Sequence, residues 1–176
     1  MWITGIILVI LLLLDQISKY LSQLFLNSST ENVVISNFLS LKLEYNTGAA
    51  WSMGDNNTWL LVIISILGTI LLGYFCLKND WKRAKIKSFA VTMALAGCMG
   101  NLFDRFITIT PLKSGRNGVV DMIVLKPFDF ICEKLGLGTT VFNVADMFLV
   151  IGLIVFAIDM IFFEDRRKKK YGKASN

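Results

Sequence analysis

"WLLVIISILGTILLGYFCL", residues 59–77, carries no charged side chain over 19 positions. A helix needs about 20 mostly apolar residues to cross the hydrocarbon core of a bilayer. Helix is the state to expect there, because no water is present to satisfy a backbone that does not satisfy itself. Three further segments have similar length and polarity: residues 3–26, interrupted by Asp15 and Lys19, then residues 88–106 and residues 141–163. The predicted architecture is a membrane α-helical fold with four transmembrane helices, forming one integral membrane domain over residues 1–176. Composition agrees. Of the 176 residues 55% are hydrophobic, and the mean hydropathy of +0.61 exceeds that of ordinary soluble domains. The start has no basic leader of the kind that precedes a cleaved signal peptide.

The net charge of +5 is clustered. Lys78, Lys82, Arg83, Lys85 and Lys87 lie between the second and third apolar segments, and Arg166, Arg167, Lys168, Lys169, Lys170 and Lys173 follow the fourth. This is a pattern of membrane topology rather than of a nucleic-acid groove, so no nucleic-acid partner is expected. The positive-inside rule places both clusters in the cytoplasm, and four spans then place the N-terminus there too. Residues 27–58 and 107–140 are predicted outside. The tail, residues 164–176, is predicted to be a solvated, partly disordered end drawn to lipid headgroups.

Both external segments carry strand signals. In "FLSLKLEYN", residues 38–46, Leu39, Leu41, Leu43 and Tyr45 alternate with polar residues, the period of a half-buried strand. In the second segment, "FITIT" (106–110), a turn-rich "PLKSGRNG" (111–118) and "VVDMIVL" (119–125) read as a hairpin or a pair of short strands. The expectation is a small external β-sheet, a cradle, between helices 1 and 2, and a loop or hairpin between helices 3 and 4. Trp51 and Trp59 are placed to anchor it at the interface.

The chain contains no histidine. That excludes Ser-His-Asp and Cys-His catalysis and histidine-ligated metals. Cys76, Cys98 and Cys132 form no CxxC pair and read as packing residues, so neither a metal nor another cofactor is expected. Hydrolysis would have to use carboxylates, a Ser-Lys pair or a carboxylate-bound metal.

The polar residues of the spans fall at one depth. Asp15 lies about 20 Å along an outward-running first helix at 1.5 Å per residue, with Lys19 one turn further. Asn101, Asp104 and Arg105 close the third helix at its external end, Asn143 and Asp146 open the fourth at the same level, and Asp121 stands on the external segment between them. Charged residues in such places usually face the bundle interior and mark function. Structural readings compete. Asp15 and Lys19 have the spacing and order of a helical ion pair. Asn101 and Arg105, sharing a face with Gly97, Gly100 and Asp104, could tie helices together. Asn143 fits an N-cap and Asp146 a first-turn acid, and spacing alone leaves that reading level with a catalytic one. Asp159, near the other end, suits pairing with the basic tail. Asp121 has no comparable structural purpose. Were it beside Asp146, the two carboxylates would share a proton, one acting as base on water and the other protonating a carbonyl. The alternative is a small transporter or channel lined by these groups. It calls for polar residues through the full depth, and the second segment has no charge.

Five blocks carry a resemblance. They are "DQISK" at 15–19, "NTGAAWS" at 46–52, "GCMGNLFDR" at 97–105, "GVVDM" at 118–122 and "FNVAD" at 142–146. In this order on four predicted helices, they resemble the lipoprotein signal peptidases, or signal peptidase II, small four-span aspartic peptidases of the bacterial cytoplasmic membrane. The resemblance implies Asp121 and Asp146 as the catalytic pair. It implies that Asn46, Gly48, Asn101, Arg105 and Asn143 shape the site and hold substrate, with Asp15 and Lys19 in support. The implied substrate is a prolipoprotein bearing a diacylglyceryl cysteine, cut just before that cysteine. The implied setting is a monomer among membrane lipids, with both termini cytoplasmic and the active site toward the outer leaflet. Trp51, Met122, Met147, Cys98 and Met99 depart from the usual residues of these blocks, and the stretch between Arg105 and Asp121 is longer than usual.

Overall fold

The computed structural model describes residues 2–48, 58–110, 118–135 and 140–172. The elements run α1 (Trp2–Phe25), β1 (Asn32–Ile35), β2 (Leu39–Asn46), α2 (Thr58–Lys78), α3 (Lys85–Ile109), β3 (Val119–Leu125), α4 (Lys126–Lys134), β4 (Val141–Phe142), α5 (Val144–Phe162) and α6 (Glu164–Gly172). Four of them, α1, α2, α3 and α5, are long and apolar enough to cross a membrane. The predicted four-span bundle is therefore present, with shifted edges. The third span is longer than residues 88–106 at both ends. It absorbs most of "FITIT", where Thr108 Oγ1 donates to the Asp104 carbonyl one turn back. The fourth begins at Val144 rather than 141, because Val141 and Phe142 pair with β3 and Asn143 caps the helix.

Helix α3 is the centre of the bundle, and its composition explains why. Its inward residues are small (Ala90, Ala94, Ala96, Gly97, Gly100) and fully or almost fully buried. They let α5 approach closely, as small residues do between membrane helices. A Cβ added to Gly152 of α5 would stand 2.6 Å from the Ala90 carbonyl oxygen. Leu72, Cys76, Val91, Ala94, Leu95 and Cys98 form the core between α2 and α3. The leucines, isoleucines and valines of α1, α2 and α5 are widely exposed, as lipid-facing residues must be.

The segments 27–58 and 107–140 form one four-stranded antiparallel sheet in the order β1-β2-β3-β4. Each segment contributes two strands, so the second holds more than a hairpin: α4 sits in the β3–β4 connection. The alternation expected along β2 breaks at a bulge between Leu41 and Glu44, and the buried residues become Ser40 and Leu43. Leu43, Val120 and Met122 pack with Leu26, so the sheet rests on the C-terminal end of α1.

The opposite end gathers the basic clusters. Trp81 Nε1 donates to Thr4 Oγ1 at 2.7 Å, tying the α2–α3 turn to the start of α1. Lys87 pairs with Glu164 at 3.0 Å. The tail is not a disordered end as far as Gly172: residues 164–172 form α6, held by Arg167 to Asp159 and Glu164. Asp159 thus takes the tail as its partner, as expected. Trp51 and the loop 111–117 lie outside the described residues, so the interfacial anchoring expected of Trp51 lies there too.

Candidate active site

Three asparagines join the two aspartates at the end of the bundle that carries the sheet. Asn143 Nδ2 donates to Asp121 Oδ1 at 2.6 Å, and the Asn143 backbone N–H donates to Asp146 Oδ2 at 3.1 Å. Asn101 Nδ2 donates to Asp146 Oδ1 at 2.7 Å. Asn46 Nδ2 donates to Asp121 Oδ2 at 2.9 Å.

Each amide is oriented by a group that can only donate, which fixes which end is oxygen. Asn46 Oδ1 accepts the Gly48 backbone N–H at 3.0 Å, so its nitrogen must face Asp121. Asn143 Oδ1 accepts the Asp146 backbone N–H at 2.9 Å, freeing its nitrogen for Asp121 and for Asn101 Oδ1. Asn101 Oδ1 also accepts from the Lys19 ammonium at 3.1 Å, so its nitrogen faces Asp146. The polarity of the site is thus set by Lys19 and two backbone N–H groups.

The helix start and the site are one structure. Asn143 and Asp146 form a capping box, each side chain taking the other's backbone N–H. The cap reading of these residues is correct, and it does not compete with a chemical role. It locks Asp146 in the first turn of α5, where the helix dipole favours an anion.

Beneath lies a buried ionic group. Lys19, 1% exposed, bridges Asp15 at 3.0 Å and Asp104 at 2.8 Å. Asp15 Oδ1 also accepts the Ala145 backbone N–H at 3.0 Å, satisfying a donor at the start of α5 that the helix itself leaves unpaired. Asp104 Oδ2 accepts the Val120 backbone N–H at 3.4 Å, linking α3 to the strand that carries Asp121. Gly100 is where α1, α3 and α5 meet: a Cβ there would stand 2.5 Å from Asp15 Oδ2. Gly118 has φ +132°, and a Cβ on it would run into the Asn46 backbone, so glycine permits the turn into β3 beside Asn46.

Of the residues singled out from sequence, Asp15, Lys19, Asn46, Gly48, Asn101, Asp121, Asn143 and Asp146 come together in this network. Arg105 lies close enough to Asp146 and Asp121 to feel both charges, and its Nη1 donates to Ser65 Oγ of α2 at 3.2 Å, the helix-tying reading of that residue. Asp104 shares their depth, and its ion pair with Lys19 places it in the support. Ala145 contributes a backbone N–H, for which a side-chain pattern has no signal.

Asp121 is almost completely buried at 1% exposure. Burial, with the Asp146 charge nearby as the lesser cause, pushes its carboxyl from 3.8 up to about 7. Among the described residues no group of three or more acids or cysteines could hold a metal ion.

The profile of the family described as Signal peptidase (SPase) II matches residues 7–162. The chain belongs to the signal peptidase II family. Its relatives agree. The lipoprotein signal peptidase of Lactiplantibacillus plantarum is 33% identical over 165 residues, covering 92% of this chain and 95% of that protein. That of Enterococcus faecalis is 33% identical over 160 residues, covering 91% and 87%. A solved structure described as a bacterial membrane enzyme, obtained by the in meso method at 2.3 Å resolution, superposes with a TM-score of 0.73 at 28% identity. It covers 92% of this chain and 88% of its own. This family member is therefore a multi-pass membrane peptidase of the family that removes signal peptides from prolipoproteins, and the transporter alternative falls away.

Proposed function

We propose that Asp121 and Asp146 form an aspartic dyad that cleaves diacylglyceryl-modified prolipoproteins just before the lipid-bearing cysteine. The observation that carries this is Asn143, whose side-chain and backbone N–H groups hold the two carboxyl groups at once. The acid and base roles follow from environment. Asp121, buried and raised to about 7, enters the cycle protonated. Asp146, at the positive end of α5 with an amide and a backbone N–H on its oxygens, is the partner placed to act as base.

Asp146 takes a proton from water, and the hydroxide attacks the scissile carbonyl carbon. Asp121 gives its proton to the carbonyl oxygen, forming a neutral gem-diol. On collapse Asp121 recovers a proton from a gem-diol hydroxyl, and Asp146 delivers its proton to the departing nitrogen. The C–N bond breaks and both carboxyl groups regain their starting states. No metal or cofactor enters the cycle. Asn46, Gly48, Asn101 and Asn143 hold the dyad, Asp15 and Lys19 support it from α1, and Arg105 borders the site from α3.

The site stands at the end of the bundle away from the basic clusters, which supports cytoplasmic termini and an active site toward the outer leaflet. A substrate anchored by acyl chains and an apolar signal helix reaches that level without leaving the bilayer. Every dyad and support residue comes from one chain, so a monomer suffices.

The test supplies lipid-modified prolipoprotein to the purified protein in detergent. Wild type is expected to release the signal peptide, with undiminished activity in chelator. Asp121→Asn and Asp146→Asn are each expected to fold and to lose cleavage. Near-normal turnover in either would sink the dyad.

A further inference from the structure

Helix α4 is amphipathic in the reverse sense for a helix beside water. Asp129 and Cys132 face inward, 8% and 2% exposed, while Phe128, Phe130 and Ile131 are 46%, 58% and 54% exposed. Leu135, next after its last residue, is 68% exposed. Phe128, Ile131 and Leu135 follow the i, i+3, i+7 spacing of one helical stripe. Phe130 lies beside them with the Lys134 ammonium 4.4 Å from its ring centre. The inward Asp129 is satisfied, since its Oδ1 accepts the Thr140 backbone N–H at 2.8 Å.

The apolar surface continues onto the sheet. Val33, Val34, Ile35 and Phe38 are each half or more exposed. Two bonds join this edge to α4: Lys126 pairs with Glu31 at 2.6 Å, and the Lys126 backbone N–H donates to the Phe38 carbonyl at 3.0 Å. Val33, Pro127 and Phe130 share one groove of about 380 Å³ with four polar residues, Lys126 among them. An apolar surface outside the spanning helices marks an interaction surface.

We infer that α4 and the β1 edge are inserted in the headgroup–acyl boundary of the outer leaflet, so that lipid is the partner of this face. Two observations select lipid. Thr140 and the β3–β4 pairing fasten α4 beside the start of α5, a spanning helix, so the patch is held next to the bilayer. The composition is also interfacial: aromatic rings outward, with Lys126 and Lys134 at the two ends of the helix. Strand β3 leads directly from Asp121 into α4, so lipid contact at α4 would hold the strand that carries that carboxyl. The inference uses the outer placement of the sheet from the proposed function but not the dyad.

The test uses full-length protein in phosphatidylcholine–phosphatidylglycerol vesicles, with a nitroxide attached at Ile131→Cys. The three native cysteines are buried. Collision rates with oxygen, which favours lipid, and with a nickel chelate, which stays in water, are compared with those at Ile63→Cys on α2 and Ser29→Cys on the exposed external segment. At Ile131 the oxygen-to-nickel ratio is expected to be severalfold above that at Ser29 and near that at Ile63. A ratio equal to that at Ser29 would overturn the proposal. So would dipolar broadening that disappears on dilution with unlabelled protein, which would assign the face to a second copy. Neither readout involves turnover, so failure here and failure of the dyad are separate results.

Discussion

Replacing Asp121 by asparagine is expected to reverse its effect on stability between acid and alkaline pH. Asp121 has a folded-state value of about 7 against 3.8 for an unperturbed group. The folded protein therefore keeps this proton over a range where the unfolded chain has released it. The associated stability is fully present below about 3.8, is lost as pH rises, and is gone once pH passes about 7. The full loss is about 4 kcal/mol at about 1.4 kcal/mol per pH unit. Asparagine cannot ionise and escapes it. Asparagine has its own penalty, because both Asp121 oxygens accept from amide nitrogens, Asn46 at 2.9 Å and Asn143 at 2.6 Å. Its NH2 would face one of these donors, costing about 1–3 kcal/mol. At pH 4 the variant should therefore be less stable than wild type by about 1–3 kcal/mol, and at pH 8 more stable by about the same amount. The curves should cross between about pH 4.5 and 6. For a chain of this length each kcal/mol moves the melting temperature by about 2–4 °C. Thermal unfolding in detergent at half-unit pH steps reads this directly, and it needs no substrate. A melting difference that stays constant from pH 4 to 8 would refute the assignment of a raised Asp121.

Lys19→Met should leave Asp15 and Asp104 buried without their cation, destabilising the fold by about 3–5 kcal/mol; a melting temperature within about 2 °C of wild type would contradict the buried network. Gly100→Ala should displace Asp15 from the Ala145 N–H and cut cleavage at least about tenfold, the effect of about 1.4 kcal/mol on a barrier. A purified, folded Gly100→Ala protein with wild-type turnover would show that Asp15 does not hold the start of α5 for the site.

How much of this could be read from the chain depends on the length scale of the signal. The spans were legible because bilayer thickness imposes a long run of apolar residues, and residues 59–77 meet that demand without interruption. The common level of Asp15, Asn101, Asn143 and Asp146 follows from helical rise once the basic clusters set the direction of each span. Alternation at residues 39–45 announced β2 but not its bulge, since one extra residue changes which side chains point inward while leaving the pattern almost intact. Helix α4 was missed for a physical reason. Its nine residues place aromatics outward and Asp129 inward, the reverse of the pattern that marks a water-facing helix. The tail's helix was hidden similarly: six basic residues suggested a solvated chain, and the partners that order it, Asp159 and Lys87, come from other helices. Arg105 shows the limit of face arguments. Its spacing places it with Asn101, and because a helix as central as α3 turns that face to α1, α2 and α5 at once, Arg105 bonds Ser65 while lying near both aspartates.

The orienting bonds explain why a carboxylate is retained at the mouth of a greasy helix. A helix beginning in a bilayer must satisfy its first N–H groups without water. In α5 Asn143 accepts the Asp146 N–H, Asp146 accepts the Asn143 N–H, and Asp15 takes the Ala145 N–H from another helix. Those same bonds fix the Asp146 side chain and aim the Asn143 nitrogen at Asp121. The requirement to terminate the helix and the requirement to pre-organise two carboxyl groups are met by one set of atoms. A substitution at Asn143 should therefore never separate stability from activity, whereas Asp121→Asn should: among the described residues Asp121 accepts no helix-terminal N–H, and its burial is a strain on the fold at neutral pH. A residue that weakens the folded state at neutral pH and caps no helix among the described residues is what the proposed dyad requires of Asp121.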